Sequence, residues 1–116
     1  MARYSLIVLT NPVEGREEEF NEWYSGRHLD DVLDLPGVVA AQRYRLAALQ
    51  RATASSPYRY LAIYEVDTDD LAATVAALRD RAGTDAMPIS DSMAQDRYAY
   101  FFEPIGPSAL ASDDTI

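Results

Sequence analysis

The stretch EEFNEWYSGRHLDDVLDLPGVVAAQRY, residues 18–44, decides how the chain is read, because a helical and an extended periodicity meet inside it. Phe20, Trp23 and Tyr24 fall at i, i+3 and i+4, the apolar stripe of a helix. Acidic residues crowd just ahead of that stripe, where a helix N-terminus favours negative charge. The spacing predicts a helix from Glu14 to about Gly26, weakened at Ser25-Gly26, then a short turn over HLDDVLDL that Pro36-Gly37 stops. From Val38 the pattern alternates instead, which predicts a strand. The same stretch holds the only Trp (Trp23) and the only His (His28) of 116 residues.

Working outward, RYSLIVLT (3–10) reads as a strand that is apolar on both faces and ends at the turn signal Asn-Pro. The second strand is expected over 38–49, followed by the polar loop QRATASSP. YRYLAIYEVD (58–67) gives a third strand, with Tyr58, Tyr60, Ala62, Tyr64 and Val66 on one face. Asp67 to Asp70 caps a second helix over roughly 68–82, striped by Leu71, Val75, Leu78 and Ala82. The irregular segment 83–93 includes MPISDSM (87–93), a candidate lid. DRYAYFFEPIG (96–106) supplies the last strand. The order β-α-β-β-α-β predicts an α+β, ferredoxin-like βαββαβ domain over 1–106, with a tail over 107–116. It is a four-stranded antiparallel sheet with two helices on one face. Two helices cover only one face of a sheet whose first and third strands are apolar on both. The chain is therefore expected to pair sheet to sheet as a homodimer.

Composition narrows the chemistry. With no Cys and no Lys, thiolates, disulfides, internal Schiff bases and a P-loop lysine are excluded. A net charge of −9, from 19 acids against 10 arginines, argues against nucleic acid as a partner. No apolar run approaches a membrane span, and MARYSLIVLTNP is no signal peptide; a cytoplasmic setting is the expectation. With one His and no Cys, no metal site is expected and no cofactor is assigned.

The residues 19–46 resemble the dimeric α+β barrel superfamily, in particular its EthD-like members. The resemblance rests on Trp23-Tyr24, His28-Leu29, Val32-Leu33, Leu35-Pro36-Gly37 and Ala41-Gln42-Arg43-Tyr44, extended by YLAIYEVDTDDL. It implies a dimeric α+β barrel with a small-molecule pocket between the sheet and helices of one subunit, where a His or Tyr acts as acid or base. Relatives of such proteins include cofactor-free monooxygenases, polyketide cyclases, dehydratases, isomerases and haem-degrading enzymes, so the reaction stays open.

Candidate catalytic residues are His28, Tyr24 and Asp31, with Trp23, Arg43, Tyr64, Tyr98 and Tyr100 as candidate substrate-binding residues. An imidazole near pKa 6.5 suits proton transfer at neutral pH; against this stands a plain helix-end role for His28. Asp31, at helical spacing from His28, is expected to orient the ring. The tyrosines supply either packing or a phenol-lined hollow. Arg43 either pairs with Glu65 or steadies an enolate. Together these suggest a cofactor-independent lyase or isomerase of dehydratase or cyclase type, acting on a small cyclic or aromatic oxygenated compound. The alternatives are a cofactor-free oxygenase of a phenolic substrate and a non-catalytic small-molecule-binding dimer.

Overall fold

The computed structural model describes residues 2–112. The chain forms β1 (Ala2–Thr10), α1 (Glu17–Trp23), a π-helical segment (Tyr24–His28), α2 (Leu29–Leu33), β2 (Val38–Arg45), β3 (Tyr60–Thr68), α3 (Leu71–Arg81) and β4 (Tyr98–Phe102). The four strands make one antiparallel sheet in the order β2-β3-β1-β4. The two strands that are apolar on both faces are thus the central ones. No helix among the described residues is long and apolar enough to cross a membrane.

Register decides the two faces. Leu6 pairs with Tyr64 and Phe101, Val8 with Ala62, and Thr10 with Tyr60. Tyr60, Ala62, Tyr64 and Val66 are all buried on that side, beneath Phe20, Tyr24, Val32 and Leu35. Ile7, paired with Ile63 and Tyr100, and Leu9, paired with Leu61 and Tyr98, point to the other side, which no helix covers. Tyr100 is 60% exposed there, Phe102 48% and Tyr44 42%.

Pro36-Gly37 ends the first helical rod and is pinned by α3. Gly37 has φ +84°, and a Cβ on it would stand 2.9 Å from Thr68 Cβ and 3.2 Å from Thr74 Oγ1, so only glycine fits. Thr74, wholly buried, donates its hydroxyl to the Pro36 carbonyl at 2.6 Å. The middle of the α3 contact is therefore this threonine, which an apolar stripe of Leu71, Val75, Leu78 and Ala82 overlooks. Asp70 caps α3 by accepting from Ala73 N at 3.1 Å.

Several expected boundaries shift. The first helix starts at Glu17 rather than Glu14, because Gly15 takes a positive φ of 81° and turns the chain. β2 stops at Arg45 and β3 begins at Tyr60, so residues 46–59 form a longer loop closed by Leu46 N donating to Arg59 O. Segment 87–93 is packed rather than a loose lid. Met87 and Ser92 are fully buried, Pro12 bridges Met93, and Val13 N donates to Ser92 O at 2.7 Å. Of the tail expected over 107–116, residues 107–112 are exposed without regular structure, and 113–116 lie outside the described residues.

Candidate functional site

His28 closes the π-helical segment. At this point the backbone takes in one residue more than an α-turn, and Leu29 N donates to Tyr24 O five positions back. The wider turn stacks the His28 ring on Trp23, five residues earlier, with centroids 4.7 Å apart. Tyr24 meets the same imidazole edge-on at 4.8 Å. In an unbroken α-helix residues i and i+5 diverge by roughly 140°, so at this five-residue spacing the stack needs the wider turn.

His28 is only 8% exposed, and its Nδ1 is buried with no hydrogen-bond partner among the described residues. Burial pushes its pKa down to about 4; the field of Asp31 raises it, and those of Arg97 and Arg43 lower it further. The imidazole is neutral at pH 7. Leaving a buried polar nitrogen unpaired costs about 1–3 kcal/mol, an expense a purely structural histidine avoids.

Beneath the ring, Tyr64 donates its hydroxyl to the Tyr24 oxygen at 3.2 Å. That leaves Tyr24's own proton for another acceptor. Burial raises the pKa of both phenols, so both remain neutral donors. Arg43 roofs the cluster with its guanidinium carbon 4.4 Å from the Tyr24 centroid and 5.4 Å from those of Phe20 and Tyr60. Asn21 Oδ1 and Ser25 Oγ accept from its two terminal nitrogens, each at 2.9 Å. Trp23 is held by its indole N–H, which donates to Pro88 O at 3.2 Å.

The structure thus gathers Trp23, Tyr24, His28, Arg43 and Tyr64, and leaves three expected members out. Tyr98 and Tyr100 lie on the uncovered face, their rings 4.6 Å apart and tilted by 58°, because register with Leu9 and Ile7 turns them away from the helices. Asp31 does not hold the imidazole. Its carboxylate accepts from Arg27 Nε at 2.9 and 3.1 Å, and it reaches His28 only through its field. Nor does Arg43 pair with Glu65: Arg43 pairs with Ala62 on the helix side, whereas Glu65 faces Ser5 on the other. Arg97, which acts electrostatically on His28, escaped the sequence reading. Alternation with Ala99 and Phe101 was the signal for it.

The expected phenol-lined hollow is filled by rings. Surface clefts open elsewhere, among them one of about 900 Å³ under residues 46–56 and one of about 470 Å³ beside Arg3, Glu65 and Phe102. No group of three or more His, Cys, Asp or Glu suited to a metal ion occurs among the described residues. What the cluster offers is a neutral imidazole with one nitrogen unpaired among the described residues, a phenol proton with no acceptor among them, and two nearby cations. That combination can take up a proton and steady an anion next to it.

No family model matches the chain, and no curated protein matches it. Solved structures do. A protein from Nitrosomonas europaea, provisionally described as an antibiotic biosynthesis monooxygenase, superposes with a TM-score of 0.60 at 18% identity, over 93% of this chain and 95% of that one. An EthD-like protein from Ralstonia eutropha gives 0.57 at 14%, over 89% and 92%. A dimeric ferredoxin-like protein from Thermobifida fusca gives 0.53 at 16%, again over 89% and 92%. With a four-stranded antiparallel sheet carrying its helices on one face, the chain has a ferredoxin-like fold, and EthD-like proteins are among its structural neighbours.

Proposed function

We propose that the chain is a small-molecule enzyme that works without a cofactor, a lyase or isomerase of dehydratase or cyclase type, with His28 as its acid–base group. The observation that carries this reading is the buried Nδ1 of His28, which no described residue satisfies. A substrate reaches the imidazole at Nε2 on its narrow exposed rim, since Nδ1 is sealed from solvent. The neutral ring removes a proton from carbon next to a carbonyl, and the Tyr24 hydroxyl donates to the enolate oxygen. Arg43 and Arg97, which both disfavour a charged imidazole in the empty protein, favour the anion that forms beside it. A second proton transfer from the imidazolium then completes elimination, double-bond shift or ring closure.

The depressed pKa narrows the substrate. A base of pKa about 4 is weak, so by Brønsted reasoning it suits an already acidic C–H, such as one between two carbonyls. Cyclic or aromatic β-dicarbonyl compounds meet that requirement. Trp23 and the tyrosine rings suit their flat apolar bodies.

The test incubates such compounds with wild type and with His28→Ala, following products by mass spectrometry. Turnover should fall at least ~100-fold in the variant. A folded His28→Ala with normal turnover removes His28 from the role. Substrate recovered unchanged from wild type favours the non-catalytic binder instead. A cofactor-free oxygenase is the second reading, favoured by the Nitrosomonas neighbour. It would form the same carbanion and then consume dioxygen, which an oxygen electrode detects.

The same reading makes the protein a homodimer. Tyr44, Tyr100 and Phe102 stand exposed beside Ile7, Leu9, Leu61 and Ile63 on one continuous face. A second sheet laid against it removes that apolar surface from water.

A further inference from the structure

From Leu35 to Tyr64 the chain has no Asp or Glu at all, yet it carries Arg43, Arg45, Arg51 and Arg59. All 19 acids of a chain with net charge −9 lie outside this stretch. Folding brings part of it around the cleft of about 900 Å³ at the end of β2 and β3 that their connecting loop joins. That volume lies at the upper end of the ~300–1,000 Å³ usual for small-molecule pockets.

The walls combine an apolar side, made by Leu46, the largely exposed Leu49 and the alanines at 47, 48, 52 and 54, with polar groups from Gln50, Thr53, Ser55, Ser56 and the Glu17 carboxylate. Two cations stand in them, and they are not equivalent. Arg59 is engaged by Glu17 at 3.3 Å, and Glu17 also accepts the Tyr60 hydroxyl. Arg45 donates no hydrogen bond and forms no ion pair with any described residue; it acts on Glu17 only through its field. A guanidinium without a partner at the side of an aliphatic cleft matches a ligand with one anionic head and an apolar body. A polyanion fits less well, since the whole chain repels it and the leucine and alanine walls offer it nothing.

We propose that this cleft is a second ligand site that takes an amphipathic organic carboxylate, with the carboxylate on Arg45 and the aliphatic body along Leu46, Leu49 and the alanines. His28, Trp23, Tyr24 and Tyr64 take no part in its walls, so the site stands apart from the acid–base cluster.

The experiment is calorimetric titration of the full-length protein with octanoate, and with octan-1-ol as the uncharged control. Octanoate should bind saturably, one per chain, and octan-1-ol at least ~10-fold more weakly, the scale of one charge-assisted hydrogen bond. Arg45→Gln should weaken octanoate by a similar factor. Ala52→Trp should abolish binding by filling the cleft. Positions 45 and 52 are both exposed, so each variant keeps the fold, and each tests the site independently. His28→Ala should bind octanoate as wild type does, which separates this site from the reaction proposed above. The inference is overturned by absence of saturable octanoate binding, by equal affinity for the alcohol, by unchanged affinity in Arg45→Gln, or by loss of binding in His28→Ala.

Discussion

The substitution His28→Phe should cost the protein its activity but not its stability, and the stability difference should depend on pH. At neutral pH the substitution removes the unpaired Nδ1, worth about 1–3 kcal/mol, while the slightly larger ring adds an overpacking cost of about 1 kcal/mol. The variant should therefore equal or exceed wild type near pH 7. The imidazole has a folded pKa of about 4 against an ordinary 6.5. Between those values the unfolded chain binds a proton that the folded chain refuses, so wild type loses stability as pH falls through that window. The loss approaches about 3 kcal/mol below both values, and about 2 kcal/mol of it has appeared by roughly pH 4.5. A phenyl ring has no proton to gain, so the variant lacks this dependence, whereas the carboxylates titrate alike in both proteins and cancel in the comparison. Urea unfolding of both proteins near pH 7 and near pH 4.5 measures the effect. A difference that stays flat between the two would show that the imidazole charges freely in the folded state, and the argument from its burial would fail.

Three further outcomes are expected. Gly37→Ala should destabilise by roughly 2 kcal/mol or more in urea unfolding, since the new Cβ meets Thr68 at 2.9 Å on a backbone already at positive φ. Thr74→Val should cost about 1–3 kcal/mol in the same assay by leaving the Pro36 carbonyl unpaired, and Thr74→Ser should recover most of it. Light scattering after gel filtration should give wild type twice the 12.9 kDa chain mass. Ile63→Arg should give one chain mass, and a dimer that survives that change would mean the uncovered face is not the interface.

Elements built on local repetition were legible in the sequence. The alternation of Tyr60, Ala62, Tyr64 and Val66 needs only strand geometry, and Asp70 announces α3 by capping it. The clustering of Trp23, Tyr24 and His28 was legible too, though its mechanism was not. A π-turn shifts the helical phase by one residue within a few positions, too short a break to read from the spacing of apolar residues. Tyr98 and Tyr100 went astray because alternation says which residues share a side but not which side. That choice rests on pairing with Ile7 and Leu9, some ninety residues earlier in the chain. Arg43 illustrates the same limit. Its position mid-strand was plain, but its partners Asn21 and Ser25 come from the helical rod rather than from the neighbouring strand. Thr74 was passed over because a hydroxyl at a core position looks like a surface residue until its carbonyl acceptor is known.

The wide turn between Tyr24 and His28 also absorbs a difference in chain length. An added residue in a helix bulges outward locally and leaves the turns on either side in place. Excising Gly26, whose side no other atom approaches within 4 Å, would let the rod rewind as ordinary α-helix while Phe20 and Val32 kept their places in the core. Trp23 and His28 would then stand at i and i+4, neighbours on one face of a plain α-helix. A chain of this shape one codon shorter could therefore keep both the scaffold and the imidazole beside the indole.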